Sequence, residues 1–474
     1  MRRSCGQVAA GLAFLALFAP VSEASTRAEK LASVRIDGVP HVRQKPDFCG
    51  EACAEMYLRK LGRNIDQDQV FDHAGLDPLL GRGCYTRELA KALADIGFDI
   101  GPVWFRVTAA EANNSLNDQF RQLHADLRAG RASIVCMHYD EQPKTTEHFR
   151  LIVGYDAKSD EVLYHEPAVA DGAYRRMKRE LLLKLWPLKY DEKEWTVVRM
   201  PLKPVRLIQP SGDKTSDADF AQHIIQLKQQ LPGDAFSVLI ERPFVVVGDE
   251  PIEDLRRHSE QTIRWAVDHL KKEYFAKDPE DIIDIWLFKD NESYEANAEK
   301  LFGDAPSTPY GYYSSRHRAL VMNIATGGGT LVHEIVHPFI AANFPDCPSW
   351  FNEGLASLYE QCGERDGKII GHTNWRLNGL QEAIRRDRVP SFKTLTSTTT
   401  REFYDEDKGT NYSQARYLCY YLQEKGLLQK YYRTFVKAAK DDPTGYETLM
   451  TVLDRRDMEA FQKEWQEYVL KLQR

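Results

Sequence analysis

Two imidazoles four residues apart, with a carboxylate beside the first, stand at His333-Glu334-Ile335-Val336-His337. The motif lies on an apolar run that starts near Thr330 and reads as a helix. Side chains four apart share one face of a helix, so both rings reach one cation. Glu334 then flanks the open coordination position, where a base for bound water is needed. Two His and one carboxylate with that open position form a catalytic zinc set, so Zn2+ is the expected cofactor. The third ligand belongs on the next helix. Pro345 and Pro348 break the first helix, Ser349 caps the second, and Glu353 falls in its first turns.

A second constellation lies upstream. Cys49, in Phe48-Cys49-Gly50-Glu51-Ala52-Cys53, is expected at the start of a helix. There the dipole and the first free N–H groups favour a thiolate. Gln44 is placed to offer a side-chain amide to an oxyanion. A nucleophilic thiol also needs a base and an orienting group. His148 begins one apparent strand and Glu166 ends the next, so antiparallel pairing brings them side by side. Cys53 is a second thiol on the same helix, and Asp156 is a weaker orienter.

The elements that must carry these residues suggest α+β. Helices are expected over about 50–61 and 86–96, the second closed by Gly97. Strands are expected over 133–138, 148–155, 161–165 and 195–200. Beyond them, 220–230 reads as a helix and 236–247 as one or two strands bent at Pro243. A long amphipathic helix over 251–275 and a strand over 282–288 follow. The stretches 310–313 and 318–323 read as hairpin arms, and from Thr330 the chain is mostly helical. The proline-rich stretch from Pro201 to Ser216 is the best linker. The division is therefore 34–202, a linker and lead-in helix over 203–235, and 236–468.

Composition bounds the function. The 474 residues exceed one ordinary core. A net charge of −7 argues against a nucleic-acid partner, which needs clustered Lys and Arg. Arg2 and Arg3, the apolar run from Val8 to Val21, and small residues at Ser22 and Ala24 read as a signal peptide over 1–24. That run is shorter than the roughly 20 residues of a membrane span, and no later stretch is long and apolar enough. The mature chain is thus expected without a membrane span, periplasmic or secreted. Loss of Cys5 would leave seven cysteines, an odd number compatible with a free nucleophilic thiol.

From Phe236 to Tyr468 the sequence resembles the gluzincin metallopeptidases of the peptidase MA-like group, through His333-Glu334-x-x-His337 and Trp350-x-x-Glu353-Gly354-x-Ala356. The resemblance implies zinc on His333, His337 and Glu353, with Glu334 as base. It implies an edge strand for extended substrate, matched by Arg318 to Asn323. It also implies a Tyr or His that polarises the scissile carbonyl: Tyr412, or more weakly His372. Cys347 and Cys362 flank the ligand helix, and a bridge between them would hold Glu353 in place.

From Val34 to Leu202 the chain is similar to papain-like cysteine peptidases that process double-glycine leader peptides, the bacteriocin-processing type. The match runs through Val39-Pro40, Gln44, Cys49-Gly50, His148-Phe149 to Gly154-Tyr155, and Glu166-Pro167. The resemblance implies Gln44 as oxyanion donor, Cys49 as nucleophile, His148 as base and Glu166 as orienter. The usual Asp-Pro is Glu-Pro here, so the orienter is longer. The implied activity is hydrolysis of a peptide or protein substrate. Two alternatives stand beside it: an inactive, peptide-binding first region, and a scaffold with both sites silent.

Overall fold

The computed structural model describes residues 31–209, 216–303, 306, 308–314, 316–405 and 410–474. The expected signal segment, 1–24, and linker residues 210–215 lie outside the described residues. The architecture is α+β, as expected. Strand Glu147–Asp156 is buried along nearly its whole length, and its run Phe149 to Tyr155 explains why it becomes a central strand. It pairs antiparallel with Ser133–His138 and with Glu161–His165. The sheet continues outward to Glu194–Pro201 and Trp104–Thr108 on one side and Arg175–Lys178 on the other. Helix Cys49–Lys60 packs on the central strand with Gly50 to Leu58 all buried. Helix Thr86–Ile96 ends at Gly97, whose φ of 111° gives the left-handed cap expected of it. Helices Gln67–Ala74 and Ala112–Arg128 and strand Trp104–Thr108 were not legible in the sequence.

The second sheet runs Ser237–Glu241, Phe244–Gly248, Ile283–Phe288, Ala319–Asn323, Gly311–Ser314. The three inner strands are parallel. This order corrects the edge strand. Ala319–Asn323 is wholly buried and lies inside the sheet, and Gly311–Ser314 forms the edge. The reason is the apolar run Ala319-Leu320-Val321-Met322, which needs cover on both faces, whereas Tyr313 tolerates water. The long helix over 251–275 contains a π-helical turn, Ser259–Arg264, between Ile252–His258 and Trp265–Glu273. Buried Glu241 staples that turn, accepting from Ser259 Oγ at 2.9 Å and from Arg264 at 2.8 and 2.7 Å.

The motif helix Gly329–Asn343 buries Leu331, Val332, Ile335, Val336, Phe339 and Ile340. The ligand helix Ser349–Leu358 lies against it and against Thr410–Glu424. Gly354 permits the second contact, since a Cβ there would sit 3.1 Å from Ala415 O and from Cys419 Sγ. Helix Asp217–Gln230 joins the two halves. Its Ala218 and Ala221 enter the first core, and its Phe220, Ile224 and Leu227 pack on the second sheet. Gln222 Nε2 donates to Pro46 O at 3.0 Å, and His223 Nε2 lies 2.6 Å from Asp284 Oδ1.

Candidate active sites

The motif helix and the ligand helix bring His333, His337 and Glu353 together, their ligand atoms all within 4.8 Å of one another. His333 Nε2 lies 3.3 Å from Glu353 Oε2, and His337 Nε2 3.8 Å from Glu353 Oε1. Zinc bonds of about 2.0–2.2 Å in a tetrahedron place ligand atoms roughly 3.3 Å apart, so the set fits zinc. Oε2 of Glu353 is buried without a well-directed hydrogen bond, as a ligand atom awaiting a cation would be.

The surroundings hold these groups in place. His337 Nδ1 donates to Asn352 Oδ1 at 2.8 Å, which leaves Nε2 free to ligate. His333 Nδ1 lies 3.5 Å from Glu360 Oε1. Glu360 is itself fixed by Arg376 at 2.7 and 3.0 Å and by Asn374 at 3.0 Å. Tyr404 donates to Glu353 Oε1 at 2.6 Å. Burial alone would lower the His333 value. Contact with Glu353 and the charges of Glu334, Glu353 and Glu360 outweigh it and raise His333 to about 9. Burial alone would raise Glu353. The His333 contact and the charges of both imidazoles outweigh it and hold Glu353 at about 2. The site therefore favours positive charge.

Tyr412 packs against Phe403 and Tyr404, at 5.0 and 6.0 Å between ring centroids, with Arg376 5.2 Å above it. The hydroxyl bonded to the ligand carboxylate is that of Tyr404. His372 sits beside Gly363, in the hairpin of Cys362–Arg365 and Lys368–Gly371. The expected Cys347–Cys362 bridge is corrected, since both thiols are free. Between them the chain runs through the ten-residue ligand helix, about 15 Å long, and the turns flanking it do not bring the two sulfurs together. A cavity of about 520 Å³ adjoins the motif, with Val332, Glu360, Trp265, Tyr310 and Trp375 in its walls.

In the first sheet a cleft of about 1020 Å³ gathers Gln44, Cys49 and His148. His148 Nε2 lies 2.5 Å from Glu166 Oε1, so the longer acid does reach the imidazole. Burial alone would raise Glu166. The hydrogen bond and charge of His148 and the charge of Arg150 outweigh it and hold Glu166 at about 2. Asp156 is engaged elsewhere, by Arg176. Cys53 is fully buried one turn along the helix, its Sγ 3.7 Å from Phe149 O. The side-chain oxygen of Gln44 is buried without a partner.

The thiol itself departs from expectation. Burial pushes Cys49 up and Glu51 adds to it, against the N–H groups of Phe149, Gly50 and Cys49, leaving it at about 12. The helix start does supply the expected donors, but desolvation is the larger effect. Asn352, Glu360, Tyr404, Glu51 and Arg150 were missed by sequence reasoning. Asn352 precedes the ligand and Arg150 follows the base by two, so spacing offered some signal for those two. Nothing local pointed to the others.

Residues 36–192 match the model of the Peptidase_C39 like family, which supports a cysteine-peptidase domain there and a peptide as substrate. The match spans a third of the chain. No curated protein matches the chain.

Proposed function

We propose that the chain is an exported peptidase with two sites, a zinc site in the second half and a thiol site in the first. The convergence of His333, His337 and Glu353 on one point supports the zinc reading most strongly. A zinc ion there would acidify water and polarise the scissile carbonyl. Glu334 would accept the water's proton and deliver it to the leaving amine. Tyr412, within charge range of Glu334 and Glu353, would donate to the developing oxyanion. Extended substrate would pair along Gly311–Ser314, whose outer edge is open in the strand order.

In the first half Cys49 would attack the carbonyl and His148 would take the thiol proton, with Glu166 orienting the ring. Gln44 would donate to the oxyanion. A second reading, in which this half binds peptides without cleaving them, is favoured by the raised Cys49 thiol. Signal cleavage after residue 24 would deliver the chain to the periplasm or the medium.

One experiment separates these readings: a peptide-library digest by the parent, Glu334→Gln and Cys49→Ala, with zinc content measured alongside. Glu334→Gln is expected to lose zinc-dependent products by about 10³-fold or more while keeping near-stoichiometric metal. A parent that holds no zinc after supplementation overturns the zinc site. Cys49→Ala is expected to lose a separate set of products, and an unchanged product set favours the binding module.

A further inference from the structure

Arg150 is the feature of the thiol site that neither the motif nor the proposed roles account for. It lies on the same strand face as His148, two residues along. The register pairs Leu151 with His165, so Arg150 meets Glu166 across the ladder. Its Nε donates to Glu166 Oε2 at 2.6 Å, while His148 faces the other oxygen, Oε1. The rest of the guanidinium turns to the main chain, donating to Tyr139 O at 2.8 Å and to His138 O at 3.3 Å. Arg150 and Glu166 are both buried, and Ala168 N completes the acid's shell at 3.1 Å.

A glutamate carries one more rotatable bond than an aspartate. Left alone, its carboxylate would swing and the imidazole would lose its orientation. A planar fork that binds one oxygen and two fixed carbonyls removes that freedom. The same carbonyls begin the turn to Glu147, whose Tyr139, Thr145, Thr146 and Glu147 line the cleft. We infer that Arg150 is the positioning residue that lets Glu166 stand in for the shorter acid, and that it ties this acid to the substrate-lining turn. The inference rests on the thiol-site reading and adds to it.

The groups facing Glu166 are His148 and Arg150 from the central strand, Cys53 from the nucleophile helix and Tyr164 from its own strand. His41 Nε2 lies 2.9 Å from the Glu166 carbonyl. Without the guanidinium, Glu166 takes up a proton at higher pH and ceases to support a positive imidazole sooner on acidification.

The test is the iodoacetamide alkylation rate of Cys49 against pH, in the full chain, for the parent, Arg150→Met and Arg150→Lys. It needs no substrate, so it does not depend on turnover. Arg150→Met is expected to move the limb to higher pH than in the parent. Arg150→Lys keeps the charge without the fork and should shift the limb less, in the same direction. Wherever thiol-dependent cleavage is measured, kcat should fall at least about ten-fold in Arg150→Met, with KM raised as the turn loosens. Acid limbs unchanged in both variants overturn the inference, and a Lys variant identical to the parent overturns the need for the fork. If Arg150→Met does not fold, the Lys variant alone decides. A parent without turnover whose alkylation limb shifts in Arg150→Met keeps the inference and sinks only the peptidase reading of this half.

Discussion

At Cys49 two opposing effects meet, and the weaker is the one a motif reveals. The helix start directs N–H groups at the sulfur, while burial and the carboxylate of Glu51 oppose its charge. Glu51 is fully buried. Burial raises it to about 7, against the hydrogen bond its Oε1 accepts from Cys84 N at 2.7 Å. The folded chain therefore holds this proton more tightly than the unfolded chain. Stability from it is complete below about pH 4.5 and is lost as pH rises through about 7. Glu51→Gln keeps the acceptor and removes the charge. Its Tm should gain on the parent across that window, by at most roughly 3 kcal/mol of stability. In the same variant Cys49 should be alkylated faster at a given pH. Equal alkylation rates would show that the Glu51 charge does not reach the thiol.

Among elements, a metal at the proposed zinc site would depend on the meeting of the motif helix with the end of the ligand helix. A Cβ on Gly329 would stand 2.1 Å from the carbonyl oxygen of Glu360, which is backbone and cannot swing aside. Glu360 in turn faces His333 Nδ1. Gly329→Ala is therefore expected to push the two elements apart, destabilise the chain by about 1–3 kcal/mol and weaken zinc binding by about ten-fold or more. Calorimetric melts and a competitive zinc titration check both parts. Parental zinc affinity would mean that Glu360 does not position His333. Gly354 has the analogous duty on the other side of the ligand helix, against Ala415 and Cys419.

For the whole molecule, helix Asp217–Gln230 is the connection that matters. Gln222 holds the Pro46 carbonyl, in the loop between Gln44 and Cys49, and its neighbour His223 engages Asp284 in the second sheet. Lys228 Nζ adds bonds to Leu79 O and Leu80 O at 3.1 and 2.9 Å. Gln222→Ala removes one hydrogen bond of about 1 kcal/mol, so hydrogen exchange over residues 44–48 should quicken roughly five-fold. Exchange in strand Ile283–Phe288 should not change. Parental exchange rates at 44–48 would show that the loop is held from its own domain alone.

Local patterns sufficed for the chemistry that one helix or one strand can carry. Spacing of four put His333 and His337 on one face, breaker prolines set the ligand helix apart, and apolar runs marked the strand that His148 begins and the one that leads to Glu166. The helices over 67–74 and 112–128 went unread because buried polar residues such as Gln67 and His124 blur their apolar period. Relations between elements required the folded chain. The edge strand is Gly311–Ser314 because burial selected its partner for the interior, and Cys347 and Cys362 are unbridged because the turns flanking the ligand helix do not bring them together. Arg150 opposes Glu166, Tyr404 binds Glu353 and Glu360 faces His333 through strand register and helix contact. Desolvation of Cys49 likewise sums over atoms remote in sequence. A short motif encodes which groups stand on one face of one element, whereas the burial and partners of those groups exist only once the elements have packed.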